Sequence, residues 1–235
     1  MPVLERPLRP GDRVAILEDD EANRRTTGWV VEEAEFDPVP FQSAPRTVDE
    51  LLDQVEQRAS ALICDHRLQK KWSVPYLGAE VVARANRRRI PAVLITSHAN
   101  SDENVSIRRW RSGIPSLLER GSDAEIVAKA LGVAEDEVNG KFSTERKPYT
   151  AIVRVQELRY GPEGVVAECV VTAWQPRTTV DVPASMITDA LNVSPSALVG
   201  LRMVADINIY APKAGELYFK NFRPSRGVPA EWLQK

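Results

Sequence analysis

The chain has only two cysteines, two histidines and three methionines in 235 residues. That scarcity excludes a disulfide framework and leaves too few Cys and His side chains for a zinc site at ligand spacing. Cys64 and Cys169 fall in expected strands of different domains, so both read as reduced, buried small hydrophobes in a reducing compartment. An excess of one charge is also missing. Lys and Arg number 31 against 33 Asp and Glu, a formal charge of −2, so polyanions are not bound by bulk electrostatics. Neither part of the chain is basic, since residues 1–133 carry 19 basic and 21 acidic side chains. No apolar run approaches the roughly 18 residues that span a bilayer, and the N-terminal Met-Pro-Val-Leu-Glu-Arg-Pro has no apolar signal core. No repeat or low-complexity tract is visible. The expectation is a cytoplasmic protein without a membrane segment.

What is present is the composition of an ordinary folded chain: 43% hydrophobic and 27% charged residues, close to the soluble average. The length suits two domains. The expected division is a lead-in over 1–12 marked by Pro2, Pro7 and Pro10, an α/β domain over 13–132, a linker over 133–148, a β-rich domain over 149–224 and a tail over 225–235.

From Arg13 onward, short apolar runs alternate with segments of helical period, the pattern of a parallel sheet covered by helices. Val14 to Leu17 is the first strand, followed by a helix from about Ala22 to Glu35 that ends at Asp37-Pro38. Thr47-Val48-Asp49-Glu50 has a capping-box signature for a helix carrying Leu51, Leu52 and Val55. A fully apolar strand, Ala61-Leu62-Ile63-Cys64, then delivers Asp65. A helix around Gly78 to Arg88 precedes the strand Ala92 to Ile95, and another near Asn104 to Arg111 leads to the apolar piece Ser116-Leu117-Leu118. Ser122-Asp123-Ala124-Glu125 opens the last helix of this part. Five β/α units in about 120 residues make a flavodoxin-like doubly wound sheet.

Ligands of open α/β sheets collect outside the carboxyl ends of the strands. Three such ends carry chemistry here: Glu18-Asp19-Asp20, Asp65, and Thr96-Ser97. Acid, acid and hydroxyl together suggest a phosphoryl acceptor assisted by Mg²⁺, because carboxylates are hard oxygen ligands suited to that ion.

In order and spacing these segments resemble the receiver domain of two-component response regulators, over about Arg13 to Leu131. Arg13-Val14-Ala15-Ile16-Leu17-Glu18-Asp19 is similar to the first strand with its acidic pair. Cys64-Asp65-His66-Arg67-Leu68 resembles the phosphoacceptor strand end, and Ile90-Pro91-Ala92-Val93-Leu94-Ile95-Thr96-Ser97-His98 the fourth strand with its switch hydroxyl. The resemblance implies that Asp65 takes a phosphoryl group from a sensor histidine kinase, a phosphotransfer protein or a small phosphodonor. It also implies that Glu18, Asp19, Asp65 and the backbone carbonyl of Arg67 hold Mg²⁺, and that Thr96 hydrogen-bonds the phosphoryl oxygens. The chain departs from the family at two positions. Arg120, in Leu118-Glu119-Arg120-Gly121, stands where a lysine is usual, and Leu117 stands at the aromatic switch position. Arg67 and His98, two residues beyond Asp65 and Thr96, are candidates for shielding an acyl phosphate from water. Arg108-Arg109-Trp110-Arg111, on the expected fourth helix, is a candidate protein-binding cluster.

From Tyr149 the pattern changes to alternation. Ala151, Val153 and Val155 interleave with Thr150, Arg154 and Gln156, and Val165 to Thr172 follows a Gly-Pro-Glu-Gly turn. Further strands are expected at Thr178 to Val182, Arg202 to Tyr210 and Glu216 to Phe222, with a helix near Ala184 to Leu191. This is a small, mostly antiparallel β-barrel or sandwich. It contains no metal cluster, glycine-rich phosphate loop or nucleophile with a base, so the expectation is an output module that binds a protein partner or forms a homodimer. The alternatives are an OB-like oligonucleotide binder stacking bases on Tyr210, Tyr218, Phe219 and Phe222, and a receiver-like scaffold that signals without phosphorylation. Nucleic acid is not expected as a partner.

Overall fold

The computed structural model describes residues 7–97, 103–161 and 164–225. They divide into two compact units: the first takes residues 7–97 and 110–142, the second residues 103–109, 143–161 and 164–225. Among the described residues, no helix is long and apolar enough to cross a membrane.

The first unit runs β1 (Arg13–Leu17), α1 (Glu21–Glu33), β2 (Asp37–Pro40), α2 (Val48–Arg58), β3 (Ala61–Asp65), α3 (Gln69–Trp72), α4 (Gly78–Arg87), β4 (Ala92–Thr96), β5 (Leu117–Glu119) and α5 (Ala124–Val138). All strands are parallel, in the order β2-β1-β3-β4-β5, which is the flavodoxin-like doubly wound order. Every residue of β3 and β4 is buried, as a parallel sheet covered on both faces requires. Three of these helices, α1, α2 and α5, start where a side chain supplies an acceptor for their free N–H groups. Asp20 accepts from the N–H of Asn23, Thr47 from Glu50 and Asp123 from Ile126. Helix α5 continues to Val138, so residues 133–138 belong to it.

Two expectations need correction. Asp37-Pro38 does not simply end a helix, because Asp37 to Pro40 pair with Arg13 to Ile16 as β2. Pro38 and Pro40 are tolerated there because β2 is an edge strand, with one neighbour to satisfy. The fourth helix near Asn104 to Arg111 is replaced by a single π-type turn, Glu103–Ile107, and a 3₁₀ turn, Arg111–Gly113. The reason is that residues 103–109 serve the second unit. Ile107 is fully buried, and the Arg108 guanidinium donates to the carbonyls of Asp181, Ala214 and Leu217 at 3.2, 2.7 and 2.7 Å.

The second unit is an antiparallel β domain built on one five-stranded sheet. Its elements are β6 (Tyr149–Gly161), β7 (Gly164–Val171), β8 (Thr179–Pro183), α6 (Ala184–Leu191), β9 (Arg202–Ile207) and β10 (Phe219–Pro224). The strand order is β10-β9-β6-β7-β8. The alternation of β6 is realised as read, with Ala151, Val153 and Val155 in the core and Thr150, Arg154 and Gln156 exposed. Edge strand β8 is covered by the turn at 103–107 and by Arg108, which takes up its Asp181 carbonyl. Covering an edge in this way removes a template for unwanted pairing.

Cys64 and Cys169 are both free and buried. Burial pushes the Cys64 thiol well above its ordinary value and that of Cys169 up to about 12. Because the thiolate is the reactive species, neither should be modified by iodoacetamide in the native protein at pH 8, while both should react in denaturant. Mass spectrometry of the labelled protein checks this, and rapid native labelling of either would contradict the burial.

Candidate phosphoacceptor site

The site stands at the carboxyl ends of β1, β3 and β4, where the strand order reverses direction between neighbours β1 and β3. Three carboxylates converge there: Glu18, Asp19 and Asp65 are all buried, each offering an oxygen within 4.8 Å of the others. One oxygen of each is fixed by a backbone N–H. Glu18 Oε1 accepts from Asp20 at 3.1 Å, Asp19 Oδ2 from Lys71 at 2.7 Å and Asp65 Oδ2 from Arg67 at 2.8 Å. Such bonds orient the carboxylates before any ligand arrives and offset part of the cost of burying them.

The Arg120 side chain closes this group. Its Nη2 donates to Asp65 Oδ1 at 2.5 Å, its Nη1 to Glu18 Oε2 at 2.6 Å and its Nε to Ser97 Oγ at 2.7 Å. Its backbone N–H is held by the Thr96 carbonyl at 3.1 Å. A cavity of about 120 Å³ remains, lined by the three carboxylates together with Arg67, Lys71, Thr96 and Arg120.

Burial raises the carboxyl of Asp65 above its ordinary value, against the opposing pull of Arg120 and of the Arg67 N–H. Burial also raises Glu18, with help from the charge of Asp65 and against the hydrogen bond from Arg120. Asp20 behaves in the opposite way. It is half-buried, and hydrogen bonds from Lys71 Nζ and the Asn23 N–H lower it to about 2.

The structure thus brings together Glu18, Asp19, Asp65, Arg67, Thr96 and Arg120 around one cavity. His98 lies outside the described residues. Leu117 is half-buried at the start of β5. The proposed partner cluster separates: Arg108 and Arg111 are buried, Arg111 donating to the Ile114 carbonyl, so these two guanidiniums bind backbone within the fold. Arg109 is exposed and donates to Ser185 Oγ at 2.7 Å, while Trp110 is half-buried. Of the four aromatics considered for base stacking, Tyr218, Phe219 and Phe222 are buried and only Tyr210 is exposed. Tyr210 packs edge-on against Tyr149 at 5.3 Å.

Two contributors were missed by sequence reasoning. Lys71 braces Asp19 through its N–H and Asp20 through its Nζ, both at 2.7 Å. Its signal was the pair Lys70-Lys71 shortly after Asp65, near enough to return to the same strand ends. Gly78 begins α4 directly against the carboxyl end of β3: a Cβ there would lie 1.8 Å from the Asp65 carbonyl oxygen. A lone glycine at a helix start carried no sequence signal of that contact.

No protein-family model and no curated protein matches the sequence. Among solved structures, the chain is similar to a sensor protein from Polaromonas sp. JS666, with 21% identity and a TM-score of 0.42 over 55% of this chain and 99% of that one. It is similar to a response regulator receiver domain protein from Clostridium thermocellum, with 13% identity and a TM-score of 0.42 over 56% and 99%. It is also similar to the signal receiver domain of a modulated diguanylate cyclase from Desulfovibrio desulfuricans G20, with 17% identity and a TM-score of 0.44 over 56% and 99%. The likeness is to receiver domains. It extends over little more than half of the chain and leaves the remaining C-terminal part unassigned.

Proposed function

We propose that the chain is a cytoplasmic response regulator of a two-component phosphorelay, taking a phosphoryl group on Asp65 and passing the signal to its β domain. The observation that carries this reading is the meeting of three buried carboxylates, a buried threonine hydroxyl and an arginine at the carboxyl ends of one parallel sheet.

The donor set fits a divalent cation. Glu18, Asp19 and Asp65 supply hard oxygens, the Arg67 carbonyl can add another, and preoriented carboxylates of this kind suit Mg²⁺. When bound, Mg²⁺ neutralises oxygens of the transferring phosphoryl group. Asp65 then supplies the oxygen that forms the new O–P bond as the donor's P–N bond breaks, the electron pair leaving with the imidazole nitrogen of a kinase or phosphotransfer histidine. The Thr96 hydroxyl and the Arg120 fork donate to the phosphoryl oxygens. Arg67, which lines the cavity, and His98, two residues beyond Thr96 in the sequence, slow attack by water on the acyl phosphate. The β domain, with three of its four candidate stacking aromatics in its core, acts through a protein partner, which can be a second copy of the chain.

The test is incubation with Mg²⁺ and phosphoramidate, followed by intact-mass measurement. The expected result is one added phosphoryl group, labile to hydroxylamine and absent from Asp65→Asn. The second reading is a receiver-like scaffold that works without phosphorylation. It is favoured by the Arg120 bridge, which satisfies Glu18 and Asp65 with no ligand at all. Failure to gain mass with either phosphoramidate or a histidine kinase would establish that second reading.

A further inference from the structure

Arg120 does more than replace a lysine. An ammonium is a point charge, whereas the planar guanidinium reaches two different carboxylates at once through Nη1 and Nη2. The backbone N–H of Asp20 holds Glu18 Oε1 and that of Arg67 holds Asp65 Oδ2, so Arg120 takes the other oxygen of each acid. Those oxygens belong to two of the three acids that would ligate a divalent cation. Arginine also stays charged at any working pH, so it leaves the acids only when another cation replaces it or when it gains a better anion. The arrangement leaves it an exit. Its side chain is 24% exposed, against 5% for Glu18 and 8% for Asp65. Its third contact, Nε to Ser97 Oγ, is at the exposed side of the site. Lys71 has a separate place on Asp19 and Asp20 and does not share these two oxygens.

We propose that Arg120 is an exchangeable internal counter-cation: its guanidinium and a divalent cation take turns on Glu18 and Asp65, and cation binding frees the fork to meet an incoming phosphoryl group. The inference rests on the phosphoacceptor reading of this site. Arg120 thereby sets the affinity of the site for the cation, offsetting part of the charge of the two buried acids until the ion arrives. A buried pair of carboxylates without a counter-charge would be costly, which is why the exchange is one cation for another and leaves no bare intermediate.

The experiment is calorimetric titration of Mg²⁺ into the full-length protein at constant ionic strength, using the native chain, Arg120→Gln, Arg120→Lys, Arg120→Ala and Asp65→Asn. The expected result is binding that Asp65→Asn abolishes, roughly tenfold tighter in Arg120→Gln than in the native chain, with Arg120→Lys between them. Methylguanidinium should weaken Mg²⁺ binding by Arg120→Ala and leave the native chain unaffected, with sodium chloride at equal ionic strength as the control. Asp65-dependent binding that is no tighter in Arg120→Gln, or that methylguanidinium does not weaken in Arg120→Ala, overturns the exchange and leaves the phosphoacceptor reading standing. Absence of Asp65-dependent Mg²⁺ binding in every form overturns both.

Discussion

Gly78→Ala should destabilise the first unit by about 3 kcal/mol and at the same time impair phosphoryl acceptance at Asp65. The added Cβ would lie 1.8 Å from the Asp65 carbonyl oxygen, 2.8 Å from its carbonyl carbon and 3.0 Å from Cys64 Sγ. The first two atoms are backbone of a central strand, so no side-chain rotation relieves the clash, and either α4 or the end of β3 must move. The Gly78 N–H also donates to the His66 carbonyl at 2.9 Å, tying the helix start to the loop that carries Arg67. A shift there displaces the Arg67 N–H from Asp65 Oδ2. Urea unfolding followed by circular dichroism measures the first effect, and phosphoryl uptake from phosphoramidate the second. Alanine is ordinarily the better helix residue, so an unchanged or raised midpoint would show that a methyl group is accommodated between α4 and β3.

Arg108→Ala should destabilise the second unit by about 3 kcal/mol, because its guanidinium serves the Asp181, Ala214 and Leu217 carbonyls together. Removing it leaves acceptors of the β8 edge and of the 214–217 turn without their donor in a buried place. Arg108→Lys should recover little, since a single ammonium cannot reproduce the fork that meets three carbonyls. Hydrogen exchange read by mass spectrometry should show faster exchange in peptides covering 179–183 and 214–219, with β1 and β3 protected as in the native chain. Equal protection at 179–183 in both proteins would mean that the contact is dispensable.

The legibility of the chain follows from the range of the forces involved. The strands of the first unit were readable because a parallel strand buried on both faces must be apolar throughout, as Ala61 to Cys64 and Ala92 to Ile95 are. The cap Thr47 and the opening of the last helix at 122–125 were readable because the bonds that start a helix are local. Strand β2 was not, since Asp-Pro-Val-Pro contradicts strand propensity and is admitted only at an edge. The segment 103–109 has enough helical period to suggest a helix, but the burial of Ile107 and the three carbonyls bound by Arg108 overrode it. Arg108 and Arg109 were indistinguishable as letters. Only the structure made the first a buried brace and left the second exposed.

By itself the sequence determined the alternation of β and α in the first part, the antiparallel character of the second, and the placing of Glu18, Asp19, Asp65 and Thr96 at strand ends. Each of these depends on periodicity or on position within a single element. The tertiary structure alone decided that one oxygen of each acid is fixed by a backbone N–H. It also decided that Arg120 spans Glu18 and Asp65, and that Lys71 and Gly78 support the site from α3 and α4. These contacts join residues as much as 102 positions apart, and such pairings are set by how the sheet is wound, which no local pattern of residues encodes.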